Sequence, residues 1–468
     1  MTKIDWQKEV DKRKEQLMDD LKTLIRIDSV RDLEHQTEAF PLGPGPAEAL
    51  SKFLEIGERD GFVTKNIENV AGHIEYGEGE DVLGVLAHVD VVPTGDGWET
   101  DPFDPVIKDG KLYARGSSDD KGPAIAAYYA LKIIKELELP VSKKVRYIIG
   151  TDEESGWYCM ERYQANETMP NFGFSPDAHF PIINGEKGIA SFVVTFEPIN
   201  TAGAITLRSF QSGLRSNMVP GDGTAIISGD PKILAKLKQD FDSYITEHHL
   251  AGQVEIEGDQ GTIHLIGKAA HAQNPVAGIN AATYLADALK SADLDGAGKA
   301  YLTAISTYLH QDPQGKLTDI AHTDEIMGEL TSSPNLFVYD EKGPKTVTIN
   351  VRYPKGTDAE KIAKAIAAAI PNVTVAPESG VKTPHYVPAD DPLVVALLGA
   401  YEEHTGEKGR EKTIGGGTYG RLFERGVAFG ALFPGREDVM HQANEFMYVE
   451  DIYKATVIYA DAIYRLIH

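Results

Sequence analysis

The sequence predicts an α/β protein: a mostly parallel sheet flanked by helices, interrupted by an inserted α+β segment. Three observations predict it. Runs such as DVLGVLAHVDVVP and KKVRYIIGTDEE are apolar at nearly every position, as strands are when both faces of their sheet are covered. A helical stretch, KGPAIAAYYALKIIKELELP, lies between them, so strand and helix alternate. The pattern changes near residue 185 to polar–apolar alternation and reverts near residue 385.

The elements follow in order. Residues 5–26 place Trp6, Val10, Leu17, Leu21, Leu24 and Ile25 at mostly helical spacing, which predicts one amphipathic helix. IEYG and DVLGVLAHVDVVP read as strands. The next helix has Lys121-Gly122-Pro123 at its start and Pro140 as its stop. KKVRYIIGTDEE and NFGFSPDAHF return as buried strands. Then GIASFVVTFEP, GTIHLIGKAAHA and TVTINVRYP alternate in the manner of a sheet with one wet face. After TPHYVPADDP, DPLVVALLGAYEEHTG reads as a helix stopped by Gly406, and VEDIYKATVIYADAIYRLI as a closing helix. One domain, residues 1–184 and 385–468, is therefore interrupted by a second, residues 185–384. The insertion is long enough for two α+β subdomains at the usual scale of roughly 100 residues per domain.

Composition narrows the function. The net charge is −25, from 46 Lys and Arg against 71 Asp and Glu, so nucleic acid and anionic membrane surfaces are poor partners. Cys159 is the only cysteine, which excludes an intramolecular disulfide and thiolate-built zinc sites. The N-terminal stretch is charged throughout and has no apolar signal core. No segment approaches the ~20 apolar residues of a membrane span. A cytoplasmic location is expected.

Five segments carry the chemistry: LAHVDVVP, ARGSSDDKG, GTDEESG, SPDAHFP and MHQANEF. They offer two histidines and at least three carboxylates at the ends of apolar runs, a set suited to two zinc-like ions in a hydrolytic site. Each segment has an ordinary alternative. His88 and Asp90, two apart and on one face of a strand, could be a structural hydrogen-bonded pair. In the sharper reading, Asp90 takes the imidazole N–H and fixes the tautomer of a metal-bound histidine. Asp119-Asp120 could be a helix cap. Asp152, Glu153 and Glu154 could be a solvated acidic turn, although three adjacent acids cost Coulomb energy unless cations neutralise them. TIGGGTYGR lacks the Lys-Ser/Thr of a phosphate loop, and its glycines suit close approach of backbone to a substrate.

Taken in this order, the five segments resemble the co-catalytic metallopeptidases of the M20 family. The long insertion, TPHYVP and IGGGTYGRLFERG resemble most narrowly its PepV-type bacterial dipeptidases. The resemblance implies a zinc-peptidase type catalytic domain carrying an inserted lid. It implies His88, Asp119, Glu154, Asp177 and His441 as ligands of two divalent ions, zinc foremost, with manganese or cobalt also accepted by such donors. Asp119 would bridge, His88 and Asp177 would hold one ion, and Glu154 and His441 the other. Glu153 would be the general base and Asp90 the carboxylate that orients the His88 imidazole. In GKAAHAQNPVAGINA, His271 would stabilise the oxyanion. Asn217 in SNMVP and Arg352 in NVRYP would bind the substrate carboxylate, with Gly417 and Thr418 as further substrate contacts. The departures are Asp152, where asparagine is expected, and His179 after Asp177.

The implied activity is hydrolysis of dipeptides with a free C-terminal carboxylate. The rival on the same scaffold is an N-acyl-amino-acid deacylase or desuccinylase. A non-catalytic peptide-binding protein would have lost Glu153 or the ligands, and all are present. The partners implied are small peptides, and the doubled insertion implies a monomer whose lid residues act in cis.

Overall fold

The computed structural model describes residues 4–468. The chain divides into two compact units: residues 1–185, 386–412 and 417–468 in the first, and residues 186–385 with 413–416 in the second.

The first unit opens with α1 (Trp6–Asp11) and α2 (Lys14–Ile25). The single helix expected over 5–26 is therefore broken. At Arg13 the backbone leaves helical geometry (φ −118°, ψ 5°). Its guanidinium bonds the Glu9 carbonyl at 2.7 Å and reaches across to Glu136 at 2.6 Å. The buried stripe of Trp6, Val10, Leu17, Leu21, Leu24 and Ile25 is kept through the break. There follow α3 (Pro44–Arg59), β1 (Val63–Ile67), β2 (Ala71–Tyr76), β3 (Val82–His88), α4 (Lys121–Glu136), β4 (Lys144–Gly150), α5 (Tyr158–Asn166) and β5 (Phe172–Ser175).

The second unit holds β6 (Gly188–Phe196), β7 (Ile205–Ser212), β8 (Asp222–Gly229), α6 (Pro231–Glu247), β9 (Ala251–Glu257), β10 (Gln260–Ile266), α7 (Ala281–Leu289), α8 (Gly296–Ala304), β11 (Thr331–Asp340), β12 (Lys345–Tyr353), α9 (Ala359–Ala369) and β13 (Val373–Pro377). Its strands form one antiparallel sheet in the order β9-β10-β8-β7-β11-β12-β6-β13. Two sets of four strands, each with its own helices, thus join edge to edge through β7 and β11. A single apolar cluster runs beneath both sets, from Phe192 and Leu207 to Val347 and Ile366. Strand β6 buries alternate residues, the pattern of a sheet with one covered face.

The chain returns to the first unit with α10 (Pro392–Thr405), β14 (Arg425–Ala428) and α11 (Val449–Ile467). Gly406 ends α10 at φ 72°, a left-handed cap that glycine adopts without strain. The sheet order is β1-β2-β4-β3-β5-β14. The last four strands are mutually parallel and the first two form an antiparallel edge. Both faces are covered. Val85 and Ala87 of β3 and Tyr147 and Ile149 of β4 enter the large cluster with α4 and α11, while Leu86 and Ile148 enter the opposite cluster with α5. This double burial explains strands that are apolar at every position. It also aligns the C-terminal ends of four parallel strands at one edge, where α/β sheets place their sites.

Candidate active site

Three of the parallel strands deliver an acid or a histidine at or just beyond their C-terminal ends. His88 is the last residue of β3; β4 ends at Gly150, just before Asp152, Glu153 and Glu154; β5 ends at Ser175, two residues before Asp177. Asp119 and Asp120 precede α4, and His441 lies between β14 and α11. The turn into α4 needs glycine at 122, where a Cβ would sit 2.0 Å from the Ser117 carbonyl oxygen.

These side chains converge around Asp119. Its Oδ1 lies 3.1 Å from His88 Nε2, and its Oδ2 lies 2.8 Å from His441 Nε2. His88 Nε2 is also 3.5 Å from Asp177, and His441 Nε2 is 3.1 Å from Glu154. Donor atoms of His88, Glu153 and Asp177 lie within 4.8 Å of one another, as do those of His88, Asp119 and Glu154. By this looser measure Glu153 sits as close to the centre as its neighbours, and the histidine contacts divide the two halves more sharply. A cavity of about 530 Å³ opens beside Asp90 and Glu154, with Val30, Leu33, Val92 and Pro93 on its apolar side.

A second layer holds these groups. Strand β3 ends at His88, so strand alternation does not reach Asp90 as the sequence reading assumed. The acceptor nearest His88 Nδ1 is the Asp90 main-chain carbonyl, at 3.0 Å, with the Asp90 carboxylate at 3.4 Å. That carboxylate instead accepts the backbone N–H groups of Glu153 and Glu154, both at 3.2 Å. Asp120 stands at the N-cap of α4 but caps nothing. One of its oxygens accepts the His88 N–H at 3.1 Å, and the other is buried without a partner. Asp152 is fully buried; it accepts from Tyr158 N–H at 2.9 Å and Gly156 N–H at 3.3 Å and pairs with Arg31 at 3.2 Å, closing the turn after β4. His179 is half-buried, 3.7 Å from Asp438.

The charges show what the cluster needs. Burial, then the charge of Asp177, pushes the Glu153 carboxyl well above its ordinary range. Burial and Asp119 raise Glu154 to about 7, and burial and Asp119 raise Asp177. Burial would also raise Asp119, but hydrogen bonds from His441 and His88 hold it low. His441 is driven up to about 11 by Asp119 and Glu154. Two carboxylates ~4 Å apart repel by about 4 kcal/mol at an effective dielectric of 20. The protein can relieve this by binding protons or cations. Two imidazoles among several carboxylates, with no thiolate, fit divalent ions that take nitrogen and oxygen donors.

In the second unit, the short strand Ala270–His271 pairs with Met218–Val219, and Ala272 N–H bonds the Asn217 carbonyl at 2.9 Å, so His271 and Asn217 are neighbours. His271 Nδ1 accepts the Gln273 N–H at 3.1 Å, which leaves the proton of a neutral ring on Nε2. Arg352 is buried in β12; its Nε donates to Asn350 Oδ1 at 2.9 Å and one terminal nitrogen to the Gly415 carbonyl at 2.8 Å. Thr418, in the first unit after the half-buried Gly417, spends its hydroxyl on the Gly420 N–H at 3.1 Å.

Sequence reasoning gave no role to Arg115 and Glu445, and for Asp120 it offered only a helix cap, which its side chain does not make. All three lie inside segments already singled out, and their partners are distant in sequence.

Comparison with known proteins identifies the family. Residues 84–465 match peptidase family M20/M25/M40. The chain is 43% identical to the Beta-Ala-Xaa dipeptidase of Lactobacillus delbrueckii subsp. lactis over 455 residues, covering 97% of this chain and 96% of that one. It is 45% identical over 465 residues to a Bacillus subtilis (strain 168) protein that carries a dipeptidase name, YtjP, covering 99% and 100%. Its fold is similar to that of the aminoacylhistidine dipeptidase of Vibrio alginolyticus, with a TM-score of 0.59 at 14% identity and coverage of 97% and 96%. The family match over residues 84–465 and these full-length likenesses lead to one conclusion: the chain belongs to peptidase family M20/M25/M40.

Proposed function

We propose that the chain is a two-ion dipeptidase that cleaves dipeptides with a free C-terminal carboxylate. The observation that carries this reading is the placement of Asp119, whose two oxygens face two different histidines. A carboxylate so placed could be shared between two divalent ions. His88 and Asp177 would hold one ion, and Glu154 and His441 the other. Zinc is the ion proposed, and manganese and cobalt suit the same donors. When bound, such ions lower the pKa of water and polarise a peptide carbonyl.

The chain's own groups do the rest. Glu153, in the turn gripped by Asp90, takes the proton of the attacking water and returns it to the leaving amine. His271, with its proton on Nε2, donates to the developing oxyanion. Arg352 and Asn217 take the substrate carboxylate, for which a guanidinium fork is suited, and the backbone at Gly417 and Thr418 lines the substrate. The Beta-Ala-Xaa dipeptidase relative supports peptide substrates over N-acyl amino acids. The lid residues are proposed to act in cis, in a cytoplasmic monomer.

The test is a side-by-side hydrolysis assay of an Ala-X dipeptide against N-acetyl and N-succinyl amino acids. Turnover of the dipeptide with little on the acylated compounds is expected. The opposite preference would assign the chain to the deacylases.

A further inference from the structure

Glu445 has none of its side chain exposed, and Arg115 only 1%. Glu445 Oε1 accepts the backbone N–H of Ser118 at 2.9 Å and of Asp119 at 3.2 Å, and the Ser118 hydroxyl at 3.3 Å. Its Oε2 accepts from Arg115 at 2.6 Å. The same guanidinium bonds the carbonyl of Gln442 at 3.4 Å and those of Pro93 and Thr94 at 3.3 Å each. One buried ion pair thus ties together three segments: the chain after His88, the turn that carries Asp119, and the loop that carries His441.

That loop is irregular: His441 and Asn444 are both in the left-handed region, at φ 64° and 61°, which histidine and asparagine enter more readily than most residues. Asn444 is pinned as well, accepting the Glu99 N–H at 2.8 Å and donating to the Gly97 carbonyl at 3.2 Å. His88, in contrast, is the end of a central strand and is placed by the sheet itself.

We infer that the Glu445–Arg115 pair is a positioning device that sets the separation of His441 and Asp119, and so selectively governs the ion on the His441 side. Neither residue is among the proposed ligands. Glu445 grips the main chain of Asp119 from the loop that presents His441, so its loss frees these two ligands relative to each other, while His88 stays at the end of β3 and Asp177 two residues beyond the end of β5. This rests on the two-ion reading above.

The test is zinc content per chain, measured on the full-length protein after dialysis against graded, buffered free zinc. For wild type, two uptake steps are expected. For Glu445→Ala, one step should stay in place and the other move to ~10–100-fold higher free zinc, the usual scale for losing an outer-layer partner. Glu445→Gln keeps an oxygen acceptor for Ser118 and Asp119 but removes the charge opposite Arg115; it should move the same step in the same direction by less. If Glu445→Ala does not fold, Glu445→Gln decides. Two unmoved steps, or two steps moved equally, would overturn the inference. A wild type that takes up fewer than two ions would overturn the two-ion reading instead.

Discussion

Glu153 and Glu154 are adjacent, yet the turn after β4 gives them different surroundings. Glu154 lies against His441, whereas Glu153 is grouped with His88 and Asp177. Changing Glu153 to Ala is expected to leave metal content near normal and lower turnover by ~10²–10⁴-fold, the range for a proton-transfer group. His88→Ala should instead lose metal by elemental analysis. Turnover of Glu153→Ala within twofold of wild type would remove Glu153 from that role. His88, Glu153, Glu154 and Asp177 stand out in the sequence because they end or closely follow apolar strands, a local signal. Glu445 and Arg115 do not, although both lie in the chosen segments. They are 330 positions apart, and only the fold reveals that they pair.

Elements carry the next scale. Strand β2 packs its His73 against Tyr163 of α5, with Nδ1 2.9 Å from the hydroxyl. Burial, then Arg146, lowers the His73 pKa to about 4 from an ordinary value near 6.5. The unfolded chain therefore takes up a proton at a pH where the folded chain does not. Stability from this site is whole above about 6.5 and is lost as the pH falls toward about 4. Thermal unfolding from pH 7 to 4.5 should show a steeper decline for wild type than for His73→Gln, and parallel declines would contradict it. The strands were readable because their burial is periodic or continuous. The break at Arg13 was not, because the apolar spacing runs through it unchanged, and the Glu136 carboxylate that Arg13 reaches is 123 positions away.

At the scale of the whole molecule, the interrupted domain was visible as a change of pattern near residues 185 and 385. The order of the eight-stranded sheet was hidden, since pairings such as β7 with β11 join residues more than a hundred positions apart. So was the grouping of residues 413–416 with the second unit. The doubled insertion motivates a prediction on assembly. A mixture of His271→Ala and Glu153→Ala proteins should stay inactive if each chain must supply both groups to its own site. Recovery of substantial activity on mixing would show that the histidine is donated between chains.

The central claim is that the cluster around Asp119 hydrolyses dipeptides with two ions. Its most direct test is the initial rate of dipeptide hydrolysis by chelator-stripped protein as zinc is returned in measured amounts. The account predicts negligible activity without metal and a rise that levels off only at two ions per chain. Full activity at one ion per chain, or activity that persists without metal, would contradict it.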